Sequence, residues 1–72
     1  MKLIDIAIFD FPNDAYILES ILSAEGVQYF MNRQSNNYIY PGSGGVLSIP
    51  DDEKERVVKI IREAGFERFL ID

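Results

Sequence analysis

ILSAEGVQYFM, residues 21–31, and IIREAGFERFL, residues 60–70, are two stretches of this chain that match each other at a spacing of 39 positions. Isoleucine, glycine and phenylalanine coincide, and most other pairs agree in character. Each stretch has the pattern of a helix end, a glycine suited to terminate that helix, and a strand. Glycine ends many helices, so the match can also arise by chance, but the spacing of the predicted elements does not depend on it.

The segments before the two stretches also correspond. Residues 2–9 alternate as a strand, and the alternation predicts that the isoleucines at 4, 6 and 8 form the core face while Leu3, Asp5, Ala7 and Phe9 form the other face. Pro12 and Asp14 then start a helix. In the second half, 46–49 is a short strand, Pro50 and the acidic residues after it start a second helix over 52–64, and 66–71 is a last strand.

This order predicts an α+β ferredoxin-like βαββαβ fold, a single domain over 1–72. Its antiparallel sheet has the strand order 4-1-3-2, with two helices on one face. Residues at helical spacing supply the buried stripes of those helices. They are Ala15, Leu18, Ile21 and Leu22 in the first helix, and Val57, Ile60, Ile61 and Ala64 in the second.

The composition argues against several functions. The 72 residues include no cysteine and no histidine, which removes thiol nucleophiles, imidazole bases and structural zinc, so no enzyme, cofactor or metal is expected. A net charge of −5, with the basic residues at 54, 56, 59 and 62 interleaved with acids, is typical of a solvated helix face and not of nucleic-acid binding. No apolar run approaches a membrane span or a signal peptide, and we expect a cytoplasmic protein.

Two local motifs have ordinary structural interpretations. The glycine-rich segment 41–45 leads into a strand and lacks the Gly-Lys-Ser/Thr of a phosphate loop, so we interpret it as a connector. The acids at 51–53 lack calcium-loop spacing and match the first turn of a helix. The third strand lacks the aromatic residues of an RNA-recognition domain, and the absence of cysteine excludes a metal-chaperone role.

The polar connection 33–45 is the candidate binding element. Its length is at the point where loops without secondary structure are usually functional or disordered. It combines a cation, amides and aromatic rings, and the predicted ligand or partner residues are Arg33, Asn36, Asn37, Tyr38, Tyr40 and Ser43. The same residues also suit turns, or a strand extension through Tyr38 and Tyr40, so both interpretations remain open.

Several of these segments together resemble a known family. FDFPNDA (9–15) opens the first helix, AEGV (24–27) closes it, and GGVLSIP (44–50) precedes an acidic helix. This pattern resembles short bacterial chains called prokaryotic signal-transducing proteins, a family of unknown function, over about residues 2–65. The resemblance implies a ferredoxin-like fold in a bacterial cytoplasmic protein and transfers no active-site residue.

The expected function is a non-enzymatic regulatory or adaptor module that binds a small ligand or a partner protein. A structural, self-associating subunit is the alternative. We further expect a homodimer, because the sheet face opposite the helices should expose Val46 and the apolar residues among 3, 5, 7 and 9. A C-terminal segment folded over that face would instead leave a monomer.

Overall fold

The computed structural model describes residues 2–32 and 44–71, and these residues form an α+β structure. The chain runs through β1 (Leu3–Phe9), α1 (Pro12–Ala24), β2 (Phe30–Asn32), β3 (Gly45–Pro50) and α2 (Lys54–Glu63). Short 3₁₀ helices at Asp51–Glu53 and Glu67–Phe69 flank α2. The three strands form an antiparallel sheet in the order β1-β3-β2, which agrees with that part of the predicted order.

The two helices end in the same way, as the matching stretches predict. Gly26 and Gly65 follow the helix C-caps with φ of 72° and 85°. In the first copy the amides of Val27 and Gly26 donate to the carbonyls of Leu22 and Ser23, at 3.0 and 3.1 Å. Corresponding bonds, 3.0 and 3.1 Å long, follow α2. Both ends are therefore Schellman caps, a motif that requires positive φ at the glycine position.

The core lies between the helices and one face of the sheet. The predicted helix stripes are confirmed, with the residues at 21, 60 and 64 only half-buried. Sheet and helices contribute side chains to one apolar cluster, which includes Phe9, Leu47 and Ile49 from the strands and Leu18, Leu22, Val57 and Ile61 from the helices.

A β-bulge in β1 makes the predicted core face partly wrong. The register against β3 shifts between Asp5 and Ala7, so that the extra residue Ile6 has no partner of its own. One inserted residue reverses the face of every side chain that follows it. Ala7 and Phe9 consequently lie in the core, fully buried, and Ile8 lies on the outside.

The predicted last strand over 66–71 is also wrong. Its residues form the 3₁₀ helix Glu67–Phe69, and only Leu70 pairs with β1, through one antiparallel bridge to Ala7. In a strand, Phe66 and Phe69 would point to opposite faces, whereas a 3₁₀ helix places residues three apart on the same side. Both rings pack on Phe9, with centroids 6.4 and 4.8 Å away.

Candidate functional site

The loop residues predicted to bind a ligand or partner fall on the part of the chain that the structure leaves undescribed. Positions 33, 36, 37, 38, 40 and 43 all lie between Asn32, the end of β2, and Gly44. Gly44 itself is held at the end of β1, where its amide donates to the carbonyl of Phe9 at 2.9 Å. The loop assignment stays a prediction.

The sheet face opposite the helices, here called the open face, carries large exposed apolar side chains. Cross-strand pairing places Leu3, Ile8, Phe30 and Val46 on it together. Leu3, Ile8 and Phe30 remain 56%, 39% and 58% exposed, while both helices direct their buried residues to the other side of the sheet. The prediction of an apolar outer face is thus confirmed for Leu3 and Val46, whereas in β1 Ile8 lies on this face in place of Ala7 and Phe9. Phe30 adds an apolar side chain from β2.

A polar pair lies in the middle of the open face. The hydroxyl of Ser48 in β3 donates to Oδ1 of Asp5 in β1, at 2.5 Å, and Ser48 is buried. This bond supplies the carboxylate with a partner inside an otherwise apolar surface. Covering the face with another molecule would then cost less than burying an unpaired carboxylate.

The described C-terminal residues, Leu70 and Ile71, do not cover the open face. Ile71 donates its amide to the carbonyl of Ile6 at 2.9 Å, and the bridge between Leu70 and Ala7 sets this segment beside β1. The segment therefore runs along the edge of the sheet, in the position of the predicted fourth strand. The alternative arrangement, in which it folds over the face, is not the one observed.

A groove separates the edge of β1 from α2. On the side away from β3, the described residues pair with β1 only through the bridge at Ala7. Along Leu3–Asp5, no described strand lies on that side. The groove has a volume of about 500 Å³ and is lined by Ile4, Asp5, Ile6, Lys54, Val58, Arg62, Leu70 and Ile71. It occupies the place that a longer fourth strand would fill.

The basic residues of α2 differ in their contacts. Arg56 joins the two helix ends, donating to the C-cap carbonyl of Glu25 at 2.5 Å and to Glu53 at 3.4 Å. Arg62 forms an ion pair with Glu67, at 3.0 Å. These contacts agree with the predicted salt-bridged face for Arg56 and Arg62, but Lys54 and Arg62 also line the groove. The groove was not predicted, although the spacing of 54, 58 and 62, one residue every helical turn, places these residues on one face of the predicted helix.

Other types of site have little support in the described residues. Residues 2–32 and 44–71 contain no group of three or more acidic residues placed to hold a metal ion. No helix in those ranges is long and apolar enough to cross a membrane.

Comparison with known proteins gives no relative to argue from. The chain matches no protein-family model, no curated protein and no solved structure.

Proposed function

We propose that this chain is a non-enzymatic regulatory or adaptor module that works as a homodimer, with the open faces of two copies packed together. The observation that supports this proposal is the set of exposed apolar side chains of Leu3, Ile8 and Phe30 on one face of the sheet. Several large apolar side chains exposed on one face are typical of a protein contact surface. The lack of histidine and cysteine supports a role in binding over one in catalysis.

The dimensions of the molecule are compatible with such an interface. A stable dimer buries about 800 Å² on each partner, which is about one sixth of the 4875 Å² surface of this chain. The open face supplies apolar surface around the Asp5–Ser48 pair and includes a hollow of about 230 Å³ lined by Leu3, Phe30 and Pro50 among others. Such a hollow suits a side chain of the second copy, because binding energy concentrates where an anchor fills a pocket.

The proposal extends to the fold and its setting. The fold is ferredoxin-like, with the fourth strand reduced to the bridge at Leu70, and the chain acts in signal transduction in the bacterial cytoplasm, as the family resemblance implies. The β1-β3-β2 order and the two helices on one face support the fold assignment. Fold alone does not fix function, so the signalling role rests on the resemblance.

Changing Phe30 to lysine tests the dimer. We expect Phe30→Lys to weaken self-association about 30-fold, since losing a large apolar anchor of the interface costs about 2 kcal/mol. Ile17→Lys is the matched control, because Ile17 is 51% exposed but lies on α1. Sedimentation equilibrium at high micromolar concentration should show dimers for the wild type and for Ile17→Lys. A monomeric wild type, or an equal effect of the two changes, would contradict the proposal.

A structural subunit that only self-associates is the second candidate, favoured by the same open face. A thermal-shift screen against small metabolites, run on the wild type, separates it from a ligand-binding regulator. A specific ligand at 100 times its Kd raises the stability of the folded state by about 2.7 kcal/mol. A regulator that binds a small ligand should show such a shift for one chemical class, whereas a purely structural subunit should show none.

The loop prediction has its own test. If the loop is a recognition element, replacing Arg33, Tyr38 and Tyr40 together by alanine should leave the melting temperature within about 2 °C of the wild type. Any ligand found in the screen should lose its effect. A large loss of stability with binding intact would instead show that these side chains stabilise the fold.

A further inference from the structure

We propose that the groove between β1 and α2 binds an extended acidic peptide, which adds to the sheet as a strand beside Leu3–Asp5. This inference rests on the proposed function, because an adaptor must recognise a partner in addition to its own copy. It names the class of that partner as a segment with acidic residues at positions i and i+4 and an apolar residue between them, at i+2. Three independent features of the groove support it.

The first feature is the edge itself. Among the described residues, Leu70 pairs with β1 only at Ala7, and Ile71 donates to the carbonyl of Ile6. On the side away from β3, the segment Leu3–Asp5 therefore presents backbone groups to the groove, and no described strand pairs with them there. A free edge of this kind accepts an extended peptide through main-chain hydrogen bonds.

The second feature is the apolar lining. Ile4 and Ile6 come from β1, Val58 from α2, and Leu70 and Ile71 close the end of the groove. A strand that enters here directs every second side chain toward α2. Its central residue on that side meets Val58 and Ile4, which favours an apolar side chain.

The third feature is charge, and it supplies the spacing. Lys54 and Arg62 lie on the groove one turn of helix before and after Val58. Eight helical residues rise about 12 Å, and four strand residues about 13 Å, so side chains at i and i+4 of a peptide match the two cations.

The acidic residues near the groove leave Lys54 and Arg62 able to bind an acidic ligand. Arg62 engages Glu67 through Nε, and a guanidinium carries five N–H donors. Asp5 also lines the groove, but its Oδ1 accepts from Ser48 in β3, on the other side of β1. The groove thus offers positive charge to a ligand although the whole chain has a net charge of −5.

A labelled pentapeptide, acetylated and amidated, with the sequence Glu-Thr-Val-Thr-Glu is the probe. We expect a saturable rise in fluorescence anisotropy with the wild-type protein, and binding at least about tenfold weaker for Lys-Thr-Val-Thr-Lys. Lys54→Glu should weaken binding of the acidic peptide by about tenfold, because it replaces an attraction with a repulsion. Lys59→Glu makes the same change of charge on α2 outside the groove, and should alter binding by less than about twofold.

Hydrogen exchange distinguishes strand addition from other modes of binding. The amides at 3–5 should exchange more slowly in the presence of saturating peptide. No binding to the wild type, equal effects of Lys54→Glu and Lys59→Glu, or protection confined to the open face would each overturn the inference. Glutamate in the first turn of α2 suits the helix dipole, so Lys54→Glu should remain folded.

Sedimentation of the same samples separates this inference from the dimer. Lys54→Glu leaves the open face intact and should retain the assembly state of the wild type. A monomeric protein that binds the peptide as described would contradict the dimer and support the groove. A dimer that fails to bind the peptide would contradict the groove alone.

Discussion

Gly44→Ala is expected to lower the free energy of unfolding by about 2–3 kcal/mol, the upper part of the range for overpacked sites. A Cβ at position 44 would lie 2.5 Å from the carbonyl carbon of Phe11, 2.6 Å from its oxygen and 2.7 Å from its nitrogen. These atoms belong to the backbone at the N-cap of α1, directly before Pro12, so no flexible side chain can move aside. Either α1 or the start of β3 must shift.

The control for this change is Gly26→Ala. Gly26 has φ of 72°, and no atom lies within 4 Å of the place that a Cβ would occupy, so alanine there meets conformational strain without a collision. That strain costs about 1 kcal/mol. Urea unfolding should therefore rank Gly44→Ala below Gly26→Ala, and each kcal/mol should appear as about 4–8 °C in the melting temperature. An equal or smaller loss for Gly44→Ala would show that the contact with Phe11 is not tight.

The helix ends could be predicted from the sequence because one residue type decides them. A Schellman cap needs a positive φ, and glycine adopts it at low cost, so Gly26 and Gly65 mark both ends. The strand after each glycine is a different matter. The structure after each glycine depends on how its side chains pack in the core. The two copies differ there, because β2 follows Gly26 and a 3₁₀ helix follows Gly65.

The faces of β1 could be predicted only up to the bulge. Residues 4–9 read IDIAIF, and this pattern allows a core face made of the isoleucines or one made of Ala7 and Phe9. Before Ile6, the isoleucine Ile4 lies on the core face, and after it Ala7 and Phe9 do. No glycine marks the bulge, and what selects it is the packing of Phe9 on residues nearly sixty positions later, which local patterns do not contain.

The candidate surfaces follow from these two departures. The bulge places Ile8 on the open face, and the short C-terminal pairing leaves the groove beside Leu3–Asp5. The sequence predicted an apolar outer face in general terms, through Leu3 and Val46. The groove was not predicted, since a full fourth strand would have filled it.

The contact of Phe9 with Phe66 and Phe69 explains both the bulge and the short C-terminal pairing, and it makes Phe9 critical for stability. Phe9 is among the largest fully buried side chains, and its ring meets Phe66 edge-on, at an interplanar angle of 85°. Truncating a buried phenylalanine costs about 3–5 kcal/mol, and a chain of 72 residues has a total stability of about 4–11 kcal/mol. Phe9→Ala should therefore remove most of the stability, whereas Ile17→Ala, at an exposed position of α1, should change it by less than about 0.5 kcal/mol.

Phe69→Ala distinguishes detachment of the C-terminal segment from unfolding of the whole domain. Phe69 is half-buried, with its ring 4.8 Å from that of Phe9 and 5.8 Å from that of Phe66, and it directly precedes the bridge at Leu70. Losing this ring should cost less than Phe9→Ala but detach the C-terminal segment from β1. The amide of Ile71, which donates to Ile6, should then exchange much faster while amides within β3 keep their protection. Uniform loss of protection would show instead that the segment unfolds only with the whole domain, and that the groove beside it has a fixed end.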